Sequence, residues 1–549
     1  MAAEPGAARP WALADAEYDV VIIGGGMAGA GAARDLALRG VSVALVEKGD
    51  LASATTARSS KLIHGGLRYL ELFDFGLVRE SLRERERLGR LAPHLVRPLP
   101  FLVPIYRNSS RGVIKVRIGL TLYNWLTPGQ NRERYRVLKA VDALSLEPGI
   151  QPEDLRGAGY YFDDLLLYPE RLCLENVLSA CRHGARAFNY AQVEEVRRDA
   201  AGKPNGVRVR DLLTGSVATL GARVIVNATG PWVDELRALA RVSDRGSRIL
   251  RRTKGIHCVL PRLTDRAIYQ STRDDRMIFV IPWREFSLVG TTDTDFVGGG
   301  GDLDRLHATR DEVDYLLGEV RQAVPDPRVT AREVVYTYAG VRPLSFEEDK
   351  RESDVSRAHK IVEEAGGSLL SITGTKLTCF RSLAEELGDR VTRGLGRPAP
   401  GRTAQLTLDG VDEEAHRVEA HTWMDVSDDV ASSGLERATL ESLVTLYGRN
   451  YRRVMELAGK VPGGAERLCP TNPDVVAQLS YAVSDELTVS LQDVMLRRTG
   501  IGTSHCQGRD CAESIARRLA PLLGWSGRRI DAELEAFQAH VARSHRFRA

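Results

Sequence analysis

Asp19-Val20-Val21-Ile22-Ile23-Gly24-Gly25-Gly26-Met27-Ala28-Gly29 is the stretch on which the fold turns. An apolar run that ends in glycine reads as a strand buried on both faces. In the G-x-G-x-x-G that follows, Gly24 permits a tight turn and Gly26 lets the backbone approach a pyrophosphate. Gly29 lets the next helix pack closely on the strand. Residues 27–39 are Ala-rich and helical in composition, and Gly40 suits the helix end. Val41–Val46 is a second apolar strand with Glu47 at its end. That is the ~20-residue distance at which a carboxylate meets ribose hydroxyls. Strand, helix, strand and acid are all in place, so a dinucleotide site is expected. The motif alone does not choose between FAD and NAD.

Working outward, Val224–Gly230 is another apolar strand ending in Ala228-Thr229-Gly230, a small turn that suits a return of the chain to the cofactor. Thr55, Thr56, Ser59 and Ser60 are short donors in one loop, and Gly65-Gly66 lets the backbone pass close to a ring. Arg68, Arg342 and Lys376 each stand two residues after a glycine, which leaves room for an anionic ligand beside a cation. The chain has 549 residues, 43 % hydrophobic and 27 % charged, with a net charge of +3. These values exclude a disordered or collagen-like chain and a dedicated nucleic-acid binder. No run approaches the ~18 apolar residues of a spanning helix. The seven cysteines are scattered, which fits reduced thiols and no disulfide framework. His505, Cys506 and Cys511 lie close together, but no C-x-x-C pair completes a set, so no metal is expected.

Residues 51–70 contain Ser-Lys-Leu-Ile-His-Gly-Gly-Leu-Arg-Tyr-Leu (60–70), and this run resembles FAD-dependent glycerol-3-phosphate dehydrogenases. Further blocks match in order: Asn227–Trp232, Lys254–His257, Phe279–Trp283, Gly290–Asp293, Tyr336–Pro343 and Gly374–Thr378. The resemblance is dense over residues 18–390. It implies FAD as cofactor, sn-glycerol 3-phosphate as substrate, dihydroxyacetone phosphate as product and a membrane quinone as electron acceptor. The cofactor residues it implies are Gly24, Gly26, Gly29, Glu47, Thr55, Thr56, Ser59, Ser60, Leu62, His64, Gly65, Gly66, Thr229, Gly230, Gly340, Arg342, Gly374, Lys376, Leu377 and Thr378. Substrate would be met by Arg68, Tyr69, His257, Tyr338, Arg342 and Lys376. His257 and Arg342 are the expected catalytic pair, with His64 the second choice of base, because a histidine titrates near the working pH. The cysteine pattern favours the aerobic single-subunit type over iron–sulfur relatives. An oxygen-using glycerol-3-phosphate oxidase and an amine- or amino-acid-oxidising flavoenzyme of similar fold remain as alternatives.

The expected fold is α/β, a Rossmann-like FAD domain (18–95, 176–240 and 331–396) interleaved with an antiparallel-sheet substrate domain (96–175 and 241–330). Residues 1–17 read as a tail, 397–401 as a linker and 402–549 as an all-helical C-terminal domain. Residues 112–126 are apolar with Lys115 and Arg117 near one end, which suits either a core helix or a bilayer interface. The expected location is cytoplasmic, peripheral on the inner face of a membrane. Nucleic acid is not an expected partner, and a homodimer is left open.

Overall fold

The computed structural model describes residues 12–107, 109, 111–126, 134–242, 248–347, 357–374, 376–408 and 424–548. Strand β1 (Ala16–Ile23), helix α1 (Met27–Leu38) and strand β2 (Val43–Val46) form the opening unit as expected. The first strand begins inside the supposed tail, and Asp15 accepts a hydrogen bond from the Thr219 N–H at 2.7 Å. Residues 1–11 of that tail lie outside the described residues.

Strands β1 and β2 sit in an eight-stranded sheet. Its order is Lys360–Glu364, Leu369–Thr373, Val217–Asn227, β1, β2 and Arg186–Phe188, with Ala191–Arg198 and Pro204–Asp211 added at one side. Val217–Asn227 runs parallel to β1, so the turns after Ile23 and Asn227 open at the same sheet edge. In an open α/β sheet that carboxyl edge is where ligands bind.

Helix α1 is buried almost all round, because alanine and glycine let neighbours close in on both sides. A Cβ on Gly31 would come within 2.9 Å of the Phe380 ring. A Cβ on Gly29 would lie 1.9 Å from the Gly24 carbonyl oxygen, so only glycine lets α1 seat on its own turn. Arg34, fully buried in the same helix, donates to Ser179 Oγ and to the carbonyls of Leu406 and Thr407. One guanidinium thus ties the first helix to the segment that leads into the C-terminal domain.

The second sheet has ten strands and is almost wholly antiparallel. Leu250–Pro261 pairs with both Phe286–Gly290 and Tyr336–Ser345. The expected boundaries shift here. Tyr336–Ser345 and Leu62–Ile63 fall by sequence within the expected FAD domain, but both hydrogen-bond into this second sheet. Their neighbours in sequence belong to the first sheet, so the chain crosses between the sheets at the cofactor loops. Helix Arg310–Ala323, started by a Thr309/Glu312 capping box, covers a second apolar core.

Residues 424–548 are helical, with no named strand among those described. Helices Ala477–Asp485, Ala512–Leu523 and Gly527–Ser544 build a third core. No described helix is long and apolar enough to cross a membrane.

Candidate active site

A cavity of about 1310 Å³ runs between the two sheets from the Gly24 turn to His257 and Arg342. That exceeds the ~300–1,000 Å³ of ordinary small-ligand pockets and suits a dinucleotide with a second ligand beside it. Helix Gly527–Ser544 closes one side through Arg529, Glu533, His540 and Arg543. The C-terminal helical domain is therefore part of the site, which no sequence motif signalled.

At one end stands the turn that opens α1. Gly24 has φ +109°, and a Cβ there would meet the Ala228 carbonyl oxygen at 2.5 Å. Met27 N–H donates to Thr56 Oγ1 at 3.1 Å. Glu47 accepts from the N–H groups of Gly25 (2.7 Å) and Gly49 (2.8 Å) and faces the cavity. Burial raises its carboxyl pKa, and the two backbone donors work against that. A fixed acceptor beside a helix N-terminus matches the ribose and pyrophosphate of a dinucleotide. The donor set, the glycine turns and the cavity size all fit FAD.

The loop after β2 is laced onto the second sheet. Thr55 Oγ1 donates to the Val341 carbonyl (2.8 Å), Arg58 to the Ala339 carbonyl (3.2 Å) and Tyr338 OH to the Ser59 carbonyl (3.0 Å). Ser60 Oγ and His257 Nε2 are 2.9 Å apart. Further on, Gly65 N–H donates to Tyr123 OH (2.8 Å), which donates in turn to Asp163. A Cβ on Gly65 would collide with that hydroxyl.

The reacting end is set by strand register. His257 pairs with Tyr338, Gly255 with Gly340 and Thr253 with Arg342. Alternate residues of a strand share a face, so this pairing puts all six on one side of the sheet. Gly255 is required there, because a Cβ would lie 2.3 Å from Arg342 Nη2. The Arg342 guanidinium lies across the gap, donating to Asp293 Oδ1 (3.0 Å), Thr291 Oγ1 (2.8 Å) and the Thr292 carbonyl (3.1 Å). Arg357 donates to the other Asp293 oxygen at 2.8 Å, and its buried Nη1 has no hydrogen-bond partner among the described residues. Burial alone would raise the Asp293 pKa. The Arg342 and Arg357 charges outweigh it and hold the carboxyl below its ordinary range. Two guanidiniums on one carboxylate leave a net positive site, which is what a phosphate dianion needs.

His257 stacks on Tyr338 with ring centroids 4.8 Å apart. A Cβ on Gly290 would meet its ring at 2.5 Å, so that glycine makes room for it. Burial, helped by the Arg342 and Lys61 charges, pushes the imidazole down to about 3. His257 is therefore neutral at ordinary pH, and in this state it is a weak base. His64 is likewise held neutral, by burial first and then by Lys376 and Arg85.

Most residues singled out from sequence do line the cavity, including Gly26, Thr55, Thr56, Ser59, Ser60, Leu62, His64, Gly66, Arg68, Tyr69, Thr229, Gly230, Gly340 and Leu377. Gly29, Gly65, Tyr338, Gly374 and Thr378 are not among the lining residues. Gly29 and Gly65 serve packing, and the Tyr338 hydroxyl is spent on Ser59. Gly374 (φ +64°) would meet the Ala358 carbonyl with any side chain, while Thr378 Oγ1 accepts from His64 N–H at 3.1 Å. Thr375 lies outside the described residues.

Lys376 needs a correction. Its ammonium faces the cavity, but all three donors are taken, by the carbonyls of His64 (2.8 Å) and Gly65 (3.0 Å) and by Ser81 Oγ (2.9 Å). It holds the His64-Gly65-Gly66 loop and acts on a ligand as a nearby charge, not as a free donor. Burial pushes it down to about 8. Sequence reasoning missed Arg357 and the bridging role of Asp293. Asp293 stood inside a quoted block, whereas Arg357 stood in none.

Residues 19–372 match the family model of FAD dependent oxidoreductases, and residues 401–530 match that of the C-terminal domain of alpha-glycerophosphate oxidase. The chain is 36 % identical over 540 residues to the glycerol-3-phosphate dehydrogenase of Synechocystis sp., covering 95 % of this chain and 96 % of that one. It is 36 % identical over 537 residues to glycerol-3-phosphate dehydrogenase 2 of Mycobacterium tuberculosis, covering 96 % and 89 %. The solved structure of glycerol-3-phosphate dehydrogenase from Bacillus halodurans, complexed with FAD, superposes with a TM-score of 0.79 at 29 % identity, covering 96 % and 95 %. With a dinucleotide cradle, a cationic pocket and whole-length relatives of one kind, the chain belongs to the FAD-dependent oxidoreductases and, within them, to the glycerol-3-phosphate dehydrogenase family.

Proposed function

We propose that this chain oxidises sn-glycerol 3-phosphate to dihydroxyacetone phosphate and delivers the electrons to a membrane quinone. The carrying observation is the Arg342–Asp293–Arg357 group at the same end of the cavity as the neutral His257. FAD, when bound, supplies the two-electron hydride acceptor. Arg342 and Arg357 take the phosphate, with Arg68 and Tyr69 beside it. His257, oriented by Ser60 and by the stack on Tyr338, receives the hydroxyl proton of the substrate. A bound phosphate dianion offsets the Arg342 charge. That removes one of the causes that hold His257 down, so substrate binding itself strengthens the base.

The test is anaerobic mixing of the yellow protein with glycerol 3-phosphate. The flavin absorbance is expected to bleach, and not to bleach with amino acids. Bleaching by an amino acid alone rejects the reading. Faster reoxidation by a soluble quinone than by oxygen is expected for a dehydrogenase, and the reverse order indicates an oxidase.

A bilayer surface is proposed as the docking partner. Helix Val113–Trp125 buries Val116, Leu120 and Tyr123 but presents Ile114 (78 % exposed) and Trp125 (71 %) to solvent. Glu71 accepts from Arg111 and Lys115, which brings Phe73 (79 % exposed) to the same helix. Aromatic and branched apolar side chains rimmed by Lys115 and Arg117 suit an anionic interface. The triple variant Phe73→Ser/Ile114→Ser/Trp125→Ser is expected to cut co-sedimentation with anionic vesicles about tenfold or more. Its bleaching by glycerol 3-phosphate in solution stays intact. Unchanged vesicle binding overturns this surface.

A further inference from the structure

Two loops of the C-terminal domain carry sulfur ligands that the sequence keeps far apart. The first follows helix Tyr451–Lys460 and is folded back on itself by an antiparallel bridge between Arg467 and Val475, which places Cys469 inside the bend. The second precedes helix Ala512–Leu523 and carries Cys506, Asp510 and Cys511. Their side chains converge. Cys469 Sγ and Cys506 Sγ are 3.7 Å apart, and Cys469 Sγ is 3.9 Å from Asp510 Oδ1. The three ligand atoms all lie within 4.8 Å of one another. Cys511, which is buried beside them, donates its thiol to the Gly508 carbonyl at 3.7 Å.

These separations have a chemical meaning. A disulfide requires sulfurs about 2.05 Å apart. Two thiolates at about 2.3 Å from a tetrahedral zinc ion sit about 3.8 Å from one another. The surroundings supply what metal thiolates need, namely N–H donors aimed at sulfur. Each cysteine accepts from the backbone N–H two residues on, Thr471 for Cys469 and Gly508 (3.3 Å) for Cys506. The second turn is made possible by left-handed backbone at Gln507 (φ +50°) and Gly508 (φ +68°). Buried Asn472 donates from Nδ2 to Cys469 Sγ at 3.0 Å and to Ser504 Oγ at 3.1 Å, joining the two loops behind the sulfurs. An apolar pocket for incidental thiols would not direct three N–H donors at two of them.

We infer that Cys469, Cys506 and Asp510 bind a zinc-type divalent metal ion. None of the three ligands lines the cavity that holds His257 and Arg342, so the ion's role is structural. Its task follows from what the second loop touches. Arg284, in the turn between strands Met277–Trp283 and Phe286–Gly290 of the ten-stranded sheet, donates to the Gly500 carbonyl and to Thr503 Oγ1 (both 3.1 Å), and Tyr336 OH donates to the Thr503 carbonyl at 3.2 Å. A metal that fixes this loop fixes the helical domain against the sheet that carries His257 and Arg342.

The flavin-loaded protein, purified without chelator, is expected to contain about one zinc per chain by elemental analysis. Cys506→Ser is expected to lower that content at least tenfold, while Cys181→Ser, a cysteine outside the cluster, keeps it. Cobalt(II) added to metal-stripped wild-type protein is expected to give the thiolate charge-transfer and intense d–d bands of a tetrahedral ion. That measurement decides the matter if Cys506→Ser fails to fold. Protein that takes up neither zinc nor cobalt overturns the proposal, and so does a mass lower by two hydrogens that shows a Cys469–Cys506 disulfide. Zinc retained at full stoichiometry by folded Cys506→Ser overturns the ligand assignment.

Discussion

Replacing Arg342 with alanine is expected to lower kcat/KM for glycerol 3-phosphate by about 10²–10³-fold. Truncating one partner of a desolvated charge pair costs about 2–5 kcal/mol, and each ~1.4 kcal/mol is a factor of ten in rate. The guanidinium is the proposed phosphate ligand and also holds Thr291 and Asp293 in place. Folding is expected to change much less. Asp293 keeps its 2.8 Å bond to Arg357, so the variant leaves no bare buried carboxylate. Tm and flavin content should therefore stay near wild type while turnover collapses. Arg342→Lys restores the charge but not the fork, and is expected to recover only a fraction of the loss. An unchanged kcat/KM in folded, flavin-loaded Arg342→Ala rejects the assignment. A double-mutant cycle with Arg357→Ala is expected to be non-additive, since both arginines grip the Asp293 carboxylate and are the proposed ligands of one phosphate.

The two arginines also mark where sequence reading stops. The opening β1–α1–β2 unit was legible in type and order, because its constraints are local, although β1 starts at Ala16 and β2 at Val43 rather than at Asp19 and Val41. Gly24 makes the turn and Gly29 seats the helix as their spacing implied, and Glu47 faces the cavity. Antiparallel register is not local. That Gly255 must be glycine follows only once Leu250–Pro261 lies against Tyr336–Ser345 and the Arg342 side chain crosses between them. Lys376 read as a cation for substrate because a charge in a glycine-flanked block looks free. Burial obliges its ammonium to find three acceptors, and the nearest are the His64 and Gly65 carbonyls and Ser81. Tyr338 likewise spends its hydroxyl on the Ser59 backbone. Arg357 was invisible for a simpler reason. In a chain with 76 Lys and Arg, one arginine outside every motif resembles the solvated majority. The helical character of the C-terminal region could be read from its amphipathic patterns. Its place at the cavity could not, because the docking contacts join residues some 450 positions apart.

Those docking contacts carry the largest expected effect on stability. Asp50 is fully buried three residues after Glu47 and receives both arginines of the Arg497-Arg498 pair. Arg498 donates to Asp50 Oδ1 at 2.9 Å, and Arg497 reaches on to Asp493 at 3.0 Å. Asp50→Ala leaves two buried guanidiniums without the carboxylate between them and is expected to cost about 3–5 kcal/mol. Arg497 lines the same cavity as Glu47, so flavin affinity should fall with stability. The pH dependence has a definite sign. Burial alone would raise the Asp50 pKa, but Arg498 and Arg497 hold the carboxyl far below its ordinary value. The folded state then binds fewer protons than the unfolded chain. The stabilisation is fully present above the unfolded pKa of about 3.9 and is lost as pH falls toward the folded value. Chemical denaturation of wild type and Asp50→Asn should give a constant gap from pH 7 to 5 that narrows below pH ~4. A gap under about 1 kcal/mol at pH 7, the worth of an exposed pair, would show that the triad does not hold the helical domain to the cofactor loop.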